Sequence, residues 1–84
     1  MNYFLVLKIN KETIPDILEV KSIDWEIGDN ENFSTIIYAS YHDEVNYNKT
    51  ILVDKPGKYY ARARFRYEEF ISNWSTIKIV NLVN

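Results

Sequence analysis

The amino-acid sequence predicts an all-β sandwich of six or seven antiparallel strands. Three observations lead there. The apolar residues fall into short runs separated by polar, turn-forming clusters. The two most regular runs, Ile23 to Ile27 and Tyr59 to Tyr67, alternate with a period of two. No stretch carries a sustained helical pattern.

In chain order, the first run is Tyr3 to Ile9. The polar stretch Asn10 to Asp16 follows as a loop, where Pro15 opposes continuation of a strand. The second run is Ile17 to Ile27. At its end Ile23, Trp25 and Ile27 share one face, and Asp24 and Glu26 take the other. Thr13 to Val20 allows a competing reading, a helix start with Pro15 in its first turn. Gly28 to Asn32 is the strongest turn signal. Phe33 to Tyr41 is rich in β-branched and aromatic residues and reads as a strand. The loop His42 to Asn48 leads to a short strand at Thr50 to Val53, and Asp54 to Gly57 forms a turn. Tyr59 to Tyr67 is the best-defined strand. Glu68 to Asn73 is a loop, because the turn-length apolar piece around Phe70 is too short to hold a helix. Thr76 to Val83 closes the set.

With 84 residues the chain is one domain. A domain of this size buries roughly 60–65% of the surface its unfolded chain exposes. One core is feasible; an enclosed chamber is hard to build. Cysteine is absent, so no disulfide or thiolate metal site contributes. Net charge is −2, which offers no general attraction to nucleic acid or to anionic membrane. The N-terminal run from Met1 lacks a basic segment and is too short for a secretory leader or a membrane span, so a chain made in the cytoplasm is expected. Ile, Asn, Lys, Tyr and Phe dominate while Gly is limited to 2 residues, a composition that AT-rich codons favour and that points to a low-GC bacterium or a phage.

The strand at Tyr59 places Tyr59, Ala61, Ala63, Phe65 and Tyr67 on one face and Tyr60, Arg62, Arg64 and Arg66 on the other. Buried and unpaired, three guanidinium groups would be costly, so this face is expected to point outward, where guanidiniums stack well on aromatic rings. Just before the last strand stands Ser72-Asn73-Trp74-Ser75. Tyr59, Arg62, Arg64, Ser72, Trp74 and Ser75 together resemble the end of a fibronectin type III domain. There the penultimate strand reads Tyr-x-Val-Arg-Val-Arg-Ala and the last strand is entered through Ser-x-Trp-Ser. Ile23-Asp24-Trp25-Glu26-Ile27, an acidic turn and Phe33 resemble the middle strand of similar modules in phage and bacterial surface proteins. The resemblance runs from Ile23 to Val80. It implies an immunoglobulin-like Greek-key sandwich, with Trp74 stacked on Arg62 or Arg64. Phe70 or Ile71 stands where the cytokine-receptor version of the motif has its first Trp, so a receptor role is not implied. The N-terminal part is short for this family. Either the Ile17 to Ile27 run bends to supply two strands, or the first strand is missing.

No constellation points to catalysis, a metal or a cofactor. His42 stands alone beside Asp43 and Glu44, without a second ligand or a positioned partner. Asp29, Asn30, Glu31 and Asn32 carry oxygens, but at the spacing of a β-turn and not of a calcium loop. Gly28 and Gly57 cannot make a phosphate loop. The sequons at Asn32, Asn48 and Asn73 are expected to go unused in a chain made in the cytoplasm. The Arg62, Arg64 and Arg66 face next to Tyr60 allows an RNA or phosphate reading, which the acidic net charge opposes. Trp25, Tyr59 and Trp74 allow a sugar-stacking reading, but the first two fit a core and the third fits a plate for the arginines.

The expectation is a structural or binding protein without enzymatic activity, nucleic-acid partner, membrane or small-molecule substrate. The resemblance and the composition imply a small phage virion component, in capsid decoration or as a tail or baseplate accessory. A stand-alone bacterial module that binds a peptide or glycan is the alternative. If the first sandwich strand is missing, the uncharged, proline-free run within Tyr3 to Ile9 is a poorly defended edge. Another virion chain, or a copy of this one, is then expected to cover it.

Overall fold

In a computed structural model, which describes residues 2–15 and 18–83, the chain is all-β: six antiparallel strands form two sheets. The strands are β1 (Tyr3–Lys8), β2 (Ser22–Gly28), β3 (Ile36–Asp43), β4 (Asn48–Val53), β5 (Gly57–Arg66) and β6 (Lys78–Leu82). Among the described residues β1 pairs only with β4, in register from Tyr3 opposite Val53 to Lys8 opposite Asn48. The other sheet has the order β3-β2-β5-β6.

The period-two alternation read from the sequence becomes the core. Leu5, Leu7, Ile51 and Val53 from the two-stranded sheet meet Ile23, Trp25, Ile27, Tyr59, Ala61 and Ala63 from the four-stranded one. All of these are buried, the six from the four-stranded sheet as expected, and Tyr59 also donates its hydroxyl to the Lys55 carbonyl at 2.7 Å. Phe65, expected in the core as well, is only half-buried at its margin.

Several boundaries differ from the sequence reading, each for a local reason. The long second run holds a single strand that starts at Ser22. Its predicted first residue, Ile17, lies outside the described residues. The competing helix is likewise absent among the described residues. A short 3-10 turn at Lys11–Thr13 follows β1 instead, with Asn10 accepting the Glu12 amide as its cap. Phe33 does not begin a strand. It sits at φ 54° in the turn, a costly backbone for a bulky residue, and burial of its ring offsets that cost. The ring lies so close to Gly28 that a β-carbon there would stand 3.0 Å from it. β3 runs on to Asp43 through a bulge, where His42 has φ 56° and the register slips between the Ile23 and Trp25 pairings.

Candidate functional site

The outer face of the four-stranded sheet carries the densest group of charged side chains. β2 presents Asp24 and Glu26 there, and β5 presents Arg62, Arg64 and Arg66. The strand register sets Asp24 opposite Arg64 and Glu26 opposite Arg62. Opposite charges thus meet across the ladder at the spacing where cross-strand pairs interact. Asp24 accepts Arg64 Nε on Oδ2 at 2.7 Å; its Oδ1 accepts Arg66 Nε at 2.8 Å and the His42 amide at 2.9 Å. Glu26 accepts both Nε and Nη2 of Arg62 on Oε1, at 3.0 and 2.7 Å, and takes the Tyr41 hydroxyl on Oε2.

Aromatic rings roof this lattice. The Arg62 guanidinium lies between Phe33, 4.0 Å away, and Trp74, 4.3 Å away. Arg64 lies 4.4 Å from the same Trp74 ring. Trp74 therefore stacks on both arginines that the sequence nominated. Its placement depends on the flanking serines. The Ser72 and Ser75 amides donate to the Phe65 and Ala63 carbonyls at 2.8 and 2.7 Å. In return their hydroxyls accept the Phe65 and Ala63 amides at 2.9 and 3.0 Å. Each serine thus completes a pair of β5 backbone bonds before β6 begins, and Trp74 between them is held over the arginines.

The electrostatics follow from this packing. Burial pulls the Asp24 carboxyl up, but hydrogen bonds from Arg66, the His42 amide and Arg64 outweigh it and hold the group down at about 2. Donation to Glu26, with burial, raises the Tyr41 hydroxyl. The bond to Asp24 raises Arg66. Every charge in the group has a partner, so the lattice is a structural clamp and offers no free base or nucleophile. Three guanidiniums against two carboxylates leave one positive charge, a weak attractant for phosphate. The pairing with Asp24 and Glu26 was absent from the sequence reading. Its signal is the matched period of Asp24-x-Glu26 and Arg62-x-Arg64-x-Arg66.

Trp74→Ala removes two stacks, each worth about 0.5–1 kcal/mol. A loss of about 1–2 kcal/mol is expected by urea unfolding, with partial recovery in Trp74→Phe. An unchanged midpoint would contradict the stacking role.

The remaining candidates separate. His42 is exposed, and its contribution to the lattice is its backbone amide. In the acidic turn Asn30 Oδ1 accepts the Asn32 amide at 3.0 Å, and its Nδ2 donates to Asp29 Oδ1 at 2.6 Å and Ser34 Oγ at 2.8 Å. Among the described residues no three His, Cys, Asp or Glu side chains converge as metal ligands. Trp25 and Tyr59 are core residues and present no sugar platform.

The two flanks of the sandwich differ. On one, Lys49 of β4 reaches Asp43 of β3 at 2.5 Å and lies over Tyr38 at 5.8 Å, latching the sheets together. That bond raises Lys49 and lowers Asp43. On the other flank, between β1 and the β5–β6 side, lies an open cleft of about 390 Å³. No protein-family model, curated protein or solved structure matches the chain.

Proposed function

We propose that the chain is a fibronectin type III-like Greek-key module without enzymatic activity, which works by assembling with other chains. The observation that carries this reading is the two-stranded sheet. Among the described residues β1 and β4 pair with each other alone, so each keeps an open edge. Their outer face presents Phe4 and Leu52 as a directly opposed pair, with Val6 beside them, at 67%, 54% and 58% exposure. An unguarded edge next to an apolar face is the arrangement natural monomers avoid. A single strand before the middle one fits the family's pattern with its first strand lacking, and the order β3-β2-β5-β6 supports the resemblance.

The setting we propose is a phage virion, as capsid decoration or as a tail or baseplate accessory, with another virion chain or a further copy over the Tyr3 to Ile9 edge. The likeness of the Ile23 to Phe33 segment to modules of phage and bacterial surface proteins and the AT-rich composition support it. Mass spectrometry and electron microscopy of purified particles are expected to find the chain in many symmetric copies. The amides of Phe4, Val6 and Lys8 are expected to exchange slowly in the particle and faster in the isolated protein. Equal, strong protection in a dilute monomer would show that the domain closes its own edge.

A further inference from the structure

We infer that the cleft between β1 and the β5–β6 side receives an extended segment of another protein, added as a strand beside β1, with alternating apolar residues and carboxylates at its ends. This deepens the proposed assembly role and rests on it. Backbone geometry supplies the first argument. The Ile9 amide donates to the Tyr47 carbonyl at 2.8 Å, and Ile9 continues the β1–β4 register. In an antiparallel pair, N–H and C=O groups of alternate residues point to the same side. Leu5 and Leu7 therefore direct theirs to β4, and Phe4, Val6 and Lys8 direct theirs away from it. A row of strand donors and acceptors thus faces the open flank.

The cleft itself supplies the second argument. Trp25, Ala61, Ala63 and Phe65, residues of the core and its margin, line it along with Val6 and Thr76. On the opposite flank the Lys49–Asp43 bridge occupies the corresponding place. A strand set beside β1 would send every second side chain over this apolar lining, as strand addition does when backbone bonds give affinity and pockets read alternate side chains. A segment of six residues would match β1 in length.

Charge selects the occupant. Among the described residues the lining includes Lys8, Arg62 and Lys78 and no carboxylate. Arg62 is engaged by Glu26, whereas neither Lys8 nor Lys78 joins an ion pair among the described residues. Two free ammonium groups favour carboxylates on the segment. A second copy of this chain is a poorer fit through the same edge. β1 brings Lys8 and no carboxylate, and its inward Leu5 and Leu7 already fill their own core.

The test uses the full chain and a labelled synthetic peptide in which valine and threonine alternate between terminal aspartates, read by fluorescence polarisation. Saturable binding is expected, at least tenfold weaker for a scrambled peptide of equal composition. Replacing the terminal aspartates by lysines is expected to weaken it at least tenfold as well. On the protein, Val6→Pro removes an outward N–H, which an edge strand tolerates without losing a ladder bond. It should abolish binding while the spectrum stays β-rich. If that variant does not fold, a peptide N-methylated at alternate amides asks the same question of the intact protein. Absence of binding, or equal binding by the scrambled or N-methylated peptide, would overturn the inference, and so would a dimer that shields Val6 and excludes the peptide. Peptide failure with the chain present in particles and its β1 amides protected would leave the assembly role standing and remove only this occupant. Peptide binding by a chain missing from particles would remove the virion setting and leave the cleft's role.

Discussion

Truncation of Trp25 to alanine is expected to cost about 3–5 kcal/mol, the range for large aromatic residues removed from cores. Trp25 is 3% exposed and lies where both sheets meet, among Leu5, Leu7, Ile23, Ile27, Ala61 and Ala63. The β5 residue directly opposite is Ala63, so the indole supplies much of the volume at that layer. A domain of this length has a total stability of roughly 4–13 kcal/mol. The variant therefore sits near the unfolding threshold, and its melting temperature should fall by at least ~12 °C. Urea unfolding followed by far-ultraviolet circular dichroism measures the change. Trp25→Phe, which keeps a ring in place, should lose less. A loss under about 1 kcal/mol for the alanine variant would place Trp25 outside the core.

The core was legible in the sequence because a sheet with one covered face writes its burial as a simple alternation. Ile23, Trp25 and Ile27, and Tyr59, Ala61 and Ala63, needed only the period of two. Strand ends were less legible, since they depend on contacts distant in sequence. Phe33 looks like the first residue of a β-rich run, yet its ring is held in the turn by Arg62 and Gly28, 29 residues ahead and five behind. Likewise β3 passes through His42 because Asp24 of the neighbouring strand accepts its amide.

The charged face was half legible. Three arginines with one spacing predict an outward ladder, and Ser72-x-Trp74-Ser75 predicts its aromatic cover. Alternation put Asp24 and Glu26 on the face away from the core residues, yet they are 0% and 7% exposed. One strand's pattern tells which side of the sheet a residue takes; it does not tell what lies over that side. Here Arg62, Arg64 and Arg66, Tyr41, Phe33 and Trp74 arrive from four other parts of the chain. The outer face becomes a second, polar layer, in which no buried side-chain nitrogen or oxygen lacks a partner among the described residues. The open cleft was legible only as a shortage of strands before Trp25. Its lining depends on how β5 and β6 close beneath β1.

Replacement of Asp24 by asparagine tests that polar layer, and its effect is expected to depend on pH. The carboxylate takes three hydrogen bonds, two from guanidiniums, while fully buried. Its titration near 2, against an ordinary value of 3.8, corresponds to about 2–3 kcal/mol of stability from the ionised form. The arginine side chains are 26% and 20% exposed, so water can reach them once the charge is gone. The loss at pH 7 should therefore stay near that figure, below the 3–5 kcal/mol typical when a fully buried pair is broken. The sign follows from linkage. The folded group holds its proton less tightly than the unfolded one, so its stabilisation is complete above about pH 4–5 and declines as pH falls toward 2. Wild type and Asp24→Asn should thus differ most at neutral pH and converge in acid, as urea titrations at several pH values would show. Asparagine can still accept the His42 amide, so the bulge in β3 should survive, and the β-rich spectrum with it. A constant difference down to pH 2 would mean that Asp24 acts by shape and hydrogen bonding alone. No difference at pH 7 would mean that the arginines stand without it.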